Sequence, residues 1–308
     1  MRKLIPLMAV SMLVGVVPVF AQPQRDDGVW HVRGDNGEIV HVLPGPAAAE
    51  AFEHRFGGPQ APAPINGYSV FSPSYGDNPG RLDDHGSSVV SNAAFLPIFY
   101  DAATAATLQS GIDAMVGNFS NSDPGMKVIT QYSKSGNSIS ASLTHSADYV
   151  DNQVAPRRIS DSGVQSYLSG LFNAGRVFAN TNTVYGVYLP QGTVSTLGRY
   201  RSCTSYCGYH SSYTYNGMTI LYAVFPYNDC SGCSLSGKSV LDMQTIVTSH
   251  EIREAITDPV NAWWESSSGY EADDKCAWHN LYQQSGGAWV QPEYSNALSG
   301  WPRGCVTP

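Results

Sequence analysis

The stretch Ser249-His250-Glu251-Ile252-Arg253-Glu254-Ala255-Ile256-Thr257-Asp258-Pro259 decides how the rest of the chain is read. On a helix, residues 250 and 254 lie one turn apart and project from the same face, while Glu251 sits about 100° round it. An imidazole and a carboxylate so placed can share one cation, and the second carboxylate can reach a water held there. Apolar Ile246 and Val247 precede the group and Ala255 and Ile256 follow it. This flanking predicts that part of the acidic face lies against protein, where buried charge requires a partner such as a metal. The competing reading is the solvated face of an amphipathic helix.

The spacing is that of HExxH metallohydrolases, with Glu254 where the second histidine would stand. A carboxylate binds zinc at about 2.0 to 2.2 Å but leaves less positive charge on it than imidazole, so bound water is acidified less. The remaining ligand must come from outside the helix. The acidic cluster Glu271, Asp273 and Asp274 follows the helix-ending turn, and either Glu271 or Asp274 can close the site. Cys276 lies two residues further on, and a bridge there, for example to Cys305, would hold the cluster near the helix. His210, in Cys207-Gly208-Tyr209-His210, reads as a loop residue among tyrosines, open as a donor to a developing oxyanion; a structural role is the alternative.

Working outward, Ala93 to Tyr100 reads as a strand, at an edge or bulge because of Pro97, and Asp101 to Phe119 has helical apolar spacing. Met126 to Tyr132 and Ser138 to Leu143 read as strands. Ser160 to Val177 reads as a helix capped by Ser160 or Asp161, Thr183 to Leu189 and Thr219 to Tyr227 as strands, and Leu241 to Thr257 as a helix stopped by Asp258-Pro259. This order predicts an α+β fold, a mixed β-sheet with packed helices, followed by an irregular, disulfide-tied C-terminal section. The tryptophans Trp263, Trp264, Trp278, Trp289 and Trp301 can line a sugar or peptide groove or pack in the core.

Of 308 residues, 14% are charged, against roughly 25% in ordinary domains, which excludes a charge-rich disordered chain or a long coiled coil. Met1-Arg2-Lys3, the apolar run Leu4 to Phe20 and the small residue Ala21 read as a signal peptide over residues 1–21, so the protein is expected to be secreted, extracellular or in the cell envelope; the competing reading is a membrane anchor, against which Pro6 and Pro18 break the run. Without Arg2 and Lys3, 15 basic and 25 acidic residues remain, a formal charge of −10. That balance argues against nucleic acid or anionic lipid as partner, and no later segment reads as a membrane span. Residues 22–80, rich in proline, are expected to be a linker or propeptide with little regular structure, leaving 81–308 as the folded domain. The six cysteines Cys203, Cys207, Cys230, Cys233, Cys276 and Cys305 suggest disulfides of unspecified pairing; the competing reading is a four-thiolate zinc site in Cys203-x3-Cys207 and Cys230-x2-Cys233.

Several of these motifs together resemble the phosphate-induced protein 1 family, which includes the plant exordium proteins. The resemblance rests on CTSYCGYH (203–210), CSGC (230–233), HEIREAITDP (250–259), AWW (262–264) and YEADDKCAW (270–278), in that order, and covers roughly residues 93–305. It implies a secreted or cell-wall protein and no settled reaction. Arg253 and Asp273 stand where that family usually has small residues. The helix-borne motif after a mixed sheet also resembles the zincin metallopeptidases in layout. Two functions are therefore expected. The first is a zinc-dependent hydrolase, a peptidase, with His250, Glu254 and Glu271 or Asp274 on the metal, Glu251 as proton acceptor and His210 at the oxyanion. The second is a non-enzymatic extracellular or cell-wall binding protein holding a structural metal such as calcium, which prefers six to eight oxygen ligands.

Overall fold

Along the strand Met218–Phe225, Leu221, Ala223 and Phe225 enter one apolar core while Ile220, Tyr222 and Val224 enter another. Successive side chains of a strand point to opposite faces, so this strand is covered on both sides and runs through the middle of a sheet. The computed structural model describes residues 29–53, 61–72, 80–119 and 123–308. The expected signal peptide lies outside them.

The central sheet has the order His31–Arg33, Ile39–Leu43, Gly208–Tyr215, Met218–Phe225, Thr183–Tyr188, Ala94–Phe99, Thr144–His145, with Tyr149–Val150 also paired to Ala94–Phe99. Its middle strands are parallel, whereas Gly208–Tyr215 runs antiparallel to Met218–Phe225. The helices Ala102–Phe119 and Val240–Thr257 pack on one face, and Asp161–Asn173, capped by Ser160, packs on the other. The fold is thus mixed α+β, as the element order predicts.

Pro97 lies in a strand paired on both sides rather than at an edge. Its neighbours Phe95 and Phe99 accept backbone bonds from Ser146 and Asp151, and Pro97 between them faces the gap separating the two short strands. A residue with no N–H therefore sits where the ladder asks for none. Two expected strands are absent. Met126 to Tyr132 is helical, because Asp123 caps the turn through Met126 N and Pro124 opens it. Ser138 to Leu143 leads as a loop into Thr144–His145.

Residues 22–80 depart furthest from expectation. Within the described part, Ile39–Leu43 adds to the central sheet, Pro46–Glu53 is a helix, and Ala63–Ile65 and Tyr68–Phe71 extend a second sheet. Trp30, Val32, Val40 and Val42 are buried in the two cores. The C-terminal section is less irregular than its composition suggests: Glu293–Asn296 and Arg303–Thr307 pair antiparallel in that second sheet. Cys276–Cys305 ties it to the acidic loop. Cys203–Cys230 and Cys207–Cys233 cross-link the other motifs, so the four-thiolate zinc reading does not hold. Three disulfides fit an oxidising, extracellular setting. No described helix is long and apolar enough to cross a membrane.

Candidate metal centre

The Val240–Thr257 helix starts in a capping box, Ser239 with Asp242, and ends at Asp258, whose N–H reaches Glu254 O. Every residue from Met243 to Thr257 is buried. His250, Glu251 and Glu254 are at most 1% exposed, so the solvated-face reading fails. Their charges are held inside protein, where they require partners.

Two groups of ligand atoms meet there. His250, Glu254 and Asp274 form one and His210, Glu254 and Glu271 form the other, each with its atoms within 4.8 Å of one another. His250 Nε2 lies 2.8 Å from Glu254 Oε2 and 3.7 Å from Asp274 Oδ1. Glu254 Oε2 nevertheless makes no hydrogen bond, and neither do Glu251 Oε1 and Glu271 Oε2. Buried carboxylate oxygens without donors, converging beside imidazole, suit a divalent cation bound by nitrogen and oxygen. Glu254 Oε1 accepts from Asp274 N and Asp274 Oδ2 from Glu271 N, which fixes the loop against the helix.

The surroundings set which nitrogen of His250 faces the ligands. Gln291 Nε2 donates to Asp273 O and Oδ1, so Gln291 Oε1 is turned to His250 Nδ1 at 3.3 Å. Nδ1 then carries the proton and Nε2 presents its lone pair to Glu254 and Asp274. Asp273 is held in turn by Arg253, whose Nη2 lies 2.6 Å from its Oδ1 and also donates to Gln291 O. Arg253 and Asp273 are therefore partners. Arg253 is wholly buried and also lies 3.1 Å from Glu293. A Cβ at Gly125 would collide with its guanidinium.

His210 is on a strand, not in a loop. The Gly208–Tyr215 strand packs its Gly208 and His210 side against the helix; a Cβ at Gly208 would come within 2.9 Å of Glu251 Oε1 and collide with Val247. His210 Nδ1 lies 3.1 Å from Glu251 Oε2 and Nε2 lies 3.5 Å from Glu271 Oε2, so both nitrogens face carboxylates. His41, in the stretch expected to be a linker, lies 2.5 Å from Glu271 Oε1. A cleft of about 710 Å³ opens onto His41, His210, Asp258 and Glu271, between Ile39–His41 and Ser211–Ser212. His250, Glu251, Glu254 and Asp274 lie behind that wall. No tryptophan of the C-terminal section lines the cleft; Trp264 and Trp278 are buried.

The structure thus brings the residues expected to carry the metal chemistry, His210, His250, Glu251, Glu254, Glu271 and Asp274, into one cluster. It puts Asp274 in the His250 group and Glu271 in the His210 group. His41, Asp258 and Gln291 were missed. The strand carrying His210 had a readable signal, Tyr213-Thr214-Tyr215-Asn216-Gly217-Met218, since Asn-Gly between alternating residues is a hairpin turn. Comparison with family models, curated proteins and solved structures found no match to this chain.

Burial pushes Glu254, Glu271 and Asp274 well above the usual carboxylate range and Glu251 up to about 8. Burial also lowers His210 to about 4. An unfolded histidine is about half protonated near its ordinary pKa of 6.5, whereas buried His210 and His41 are neutral there, so they add only a small opposing slope that fades by about pH 7.5. The acids then keep more protons folded than unfolded, so stability falls as pH rises. Metal-free protein is expected to melt at a lower temperature at pH 8 than at pH 6.5, with zinc restoring more stability at pH 8 because binding displaces protons. Melting curves in chelator and in zinc at both values check this; a chelated protein more stable at pH 8 would contradict it.

Proposed function

We propose that the chain is a secreted, metal-dependent hydrolase acting on peptides, with a zincin-like arrangement of helix and sheet and kinship to the exordium-like family. The observation that carries this reading is the convergence of His250, Glu254 and Asp274, all buried, with Glu254 Oε2 lacking any hydrogen-bond donor. Zinc suits the set better than calcium, because an imidazole nitrogen is among the ligands. A bound cation would supply Lewis acidity towards a carbonyl oxygen.

The chain's own residues do the rest. Gln291 keeps the His250 lone pair on the ligand side. Glu251, whose Oε1 has no hydrogen-bond partner, accepts the proton of the attacking water and can return it to the leaving amine. Its raised affinity for protons suits exchange near neutral pH. Among the described residues, Gly208–Tyr215 pairs with Ile39–Leu43 only at Gly208 and Tyr209. From His210 to Ser212 its edge faces the cleft, where an extended peptide can add backbone hydrogen bonds.

Metal analysis joined to peptide hydrolysis tests the reading. Bound zinc with hydrolysis that stops on chelation and returns with zinc is the expected outcome. Calcium alone, or no metal and no hydrolysis, would instead favour the extracellular or cell-wall binding protein.

A further inference from the structure

Resting on that metal-centre reading, we propose that the cluster holds two cations rather than one, bridged by Glu254: an inner one on His250, Glu254 and Asp274, and an outer one on His210, Glu254 and Glu271. The two ligand groups share Glu254 and no other residue, and each has its own imidazole. A single ion served by the inner group leaves the outer group unexplained. Glu271 Oε2 is buried, has no N–H or hydroxyl donor and lies 3.5 Å from His210 Nε2, while its carboxyl group meets those of Glu254 and Asp258. The rest of the outer group is arranged as a ligand shell requires. Glu251 Oε2 accepts from His210 Nδ1, which leaves the Nε2 lone pair facing Glu271, as hydrogen bonding at one ring nitrogen commonly frees the other for a metal. His41 Nδ1 stands 2.5 Å from the other oxygen, Glu271 Oε1, on the cleft side.

Charge points the same way. Glu251, Glu254, Asp258, Glu271 and Asp274 are each at most 5% exposed. Among the described residues, no Lys or Arg pairs with Glu251, Glu254 or Glu271; the nearby guanidinium of Arg253 is taken by Asp273 and Glu293. Once metal binding displaces their protons, these acids carry more negative charge than one divalent cation balances, and a second balances the greater part of it. The outer position also meets the cleft through His210 and Glu271, whereas the inner one lies behind it. The outer cation is therefore the one a substrate's carbonyl or carboxylate oxygen reaches first, and the inner one sets the bridge.

Titrating metal-stripped protein with zinc, with bound metal counted after gel filtration, is expected to give two equivalents per chain. His210→Ala and Glu271→Gln should each give one, while His145→Ala, which alters a separate half-exposed group with Asp113 and Asp148, should still give two. Wild type can be read without any variant: the second equivalent of Co2+ should alter the electron paramagnetic resonance signal of the first, as two bridged ions do. One equivalent in wild type, with cobalt spectra of an isolated ion, would overturn the two-cation site while leaving the hydrolase reading intact. Two equivalents unchanged in His210→Ala but reduced in His145→Ala would overturn it as well. No bound metal at all would sink both readings.

Discussion

Replacing Glu251 by glutamine is expected to leave zinc bound and to lower turnover by about 10²- to 10⁴-fold, the usual contribution of a positioned proton acceptor. The substitution is nearly isosteric, so the close packing of the helix against Gly208 and Val247 is kept. Glu251 belongs to neither ligand group, and its Oε2 faces His210 Nδ1 at 3.1 Å while Oε1 is free of hydrogen bonds. An amide there can still hold the imidazole through its oxygen but cannot accept a proton. Metal content and kcat measured on the same preparation separate the two effects. Full turnover in Glu251→Gln would remove the residue from proton transfer, and loss of metal would make it a positioning residue instead.

Replacing Arg253 by methionine should destabilise the protein by about 3 to 5 kcal/mol, as removing one member of a buried ion pair commonly does. The guanidinium is wholly buried, with Asp273 at 2.6 Å and Glu293 at 3.1 Å, and its loss leaves those carboxylates without compensation. The damage should spread to the metal centre, because Asp273 orients Gln291 and Gln291 orients His250. Weaker zinc binding is therefore expected alongside the stability loss in urea unfolding. Arg253→Met combined with Asp273→Asn should recover part of the stability, since one uncompensated charge is then gone. A cost below about 1 kcal/mol for the single variant would show that the cage does not depend on its cation.

Much of the site could be read from local pattern. His250 and Glu254 share a helix face because four residues make about one turn, and Ser239 with Asp242 marks where the helix begins. The choice between Glu271 and Asp274 could not be read, because both lie in a loop with no repeating geometry. Two backbone hydrogen bonds, Asp274 N to Glu254 Oε1 and Glu271 N to Asp274 Oδ2, hold the loop so that Asp274 stands with His250 and Glu271 with His210. Met126 to Tyr132 looked like a strand by its apolar residues, yet Asp123 and Pro124 impose a helical start. His41 was invisible because its proline-rich surroundings suggest a linker, while its neighbours Val40 and Val42 are core residues of the central sheet.

Local pattern alone points to the site helix, the middle strands of the sheet and the acidic and imidazole side chains that meet there. These depend on the helical and strand periods and on capping, which act between near neighbours. It takes the folded chain to pair Arg253 with Asp273, to bring His41 to Glu271, and to set Glu254 between two imidazoles. Those contacts join segments far apart in the chain. Packing and disulfides bring them together, and no local rule encodes the meeting.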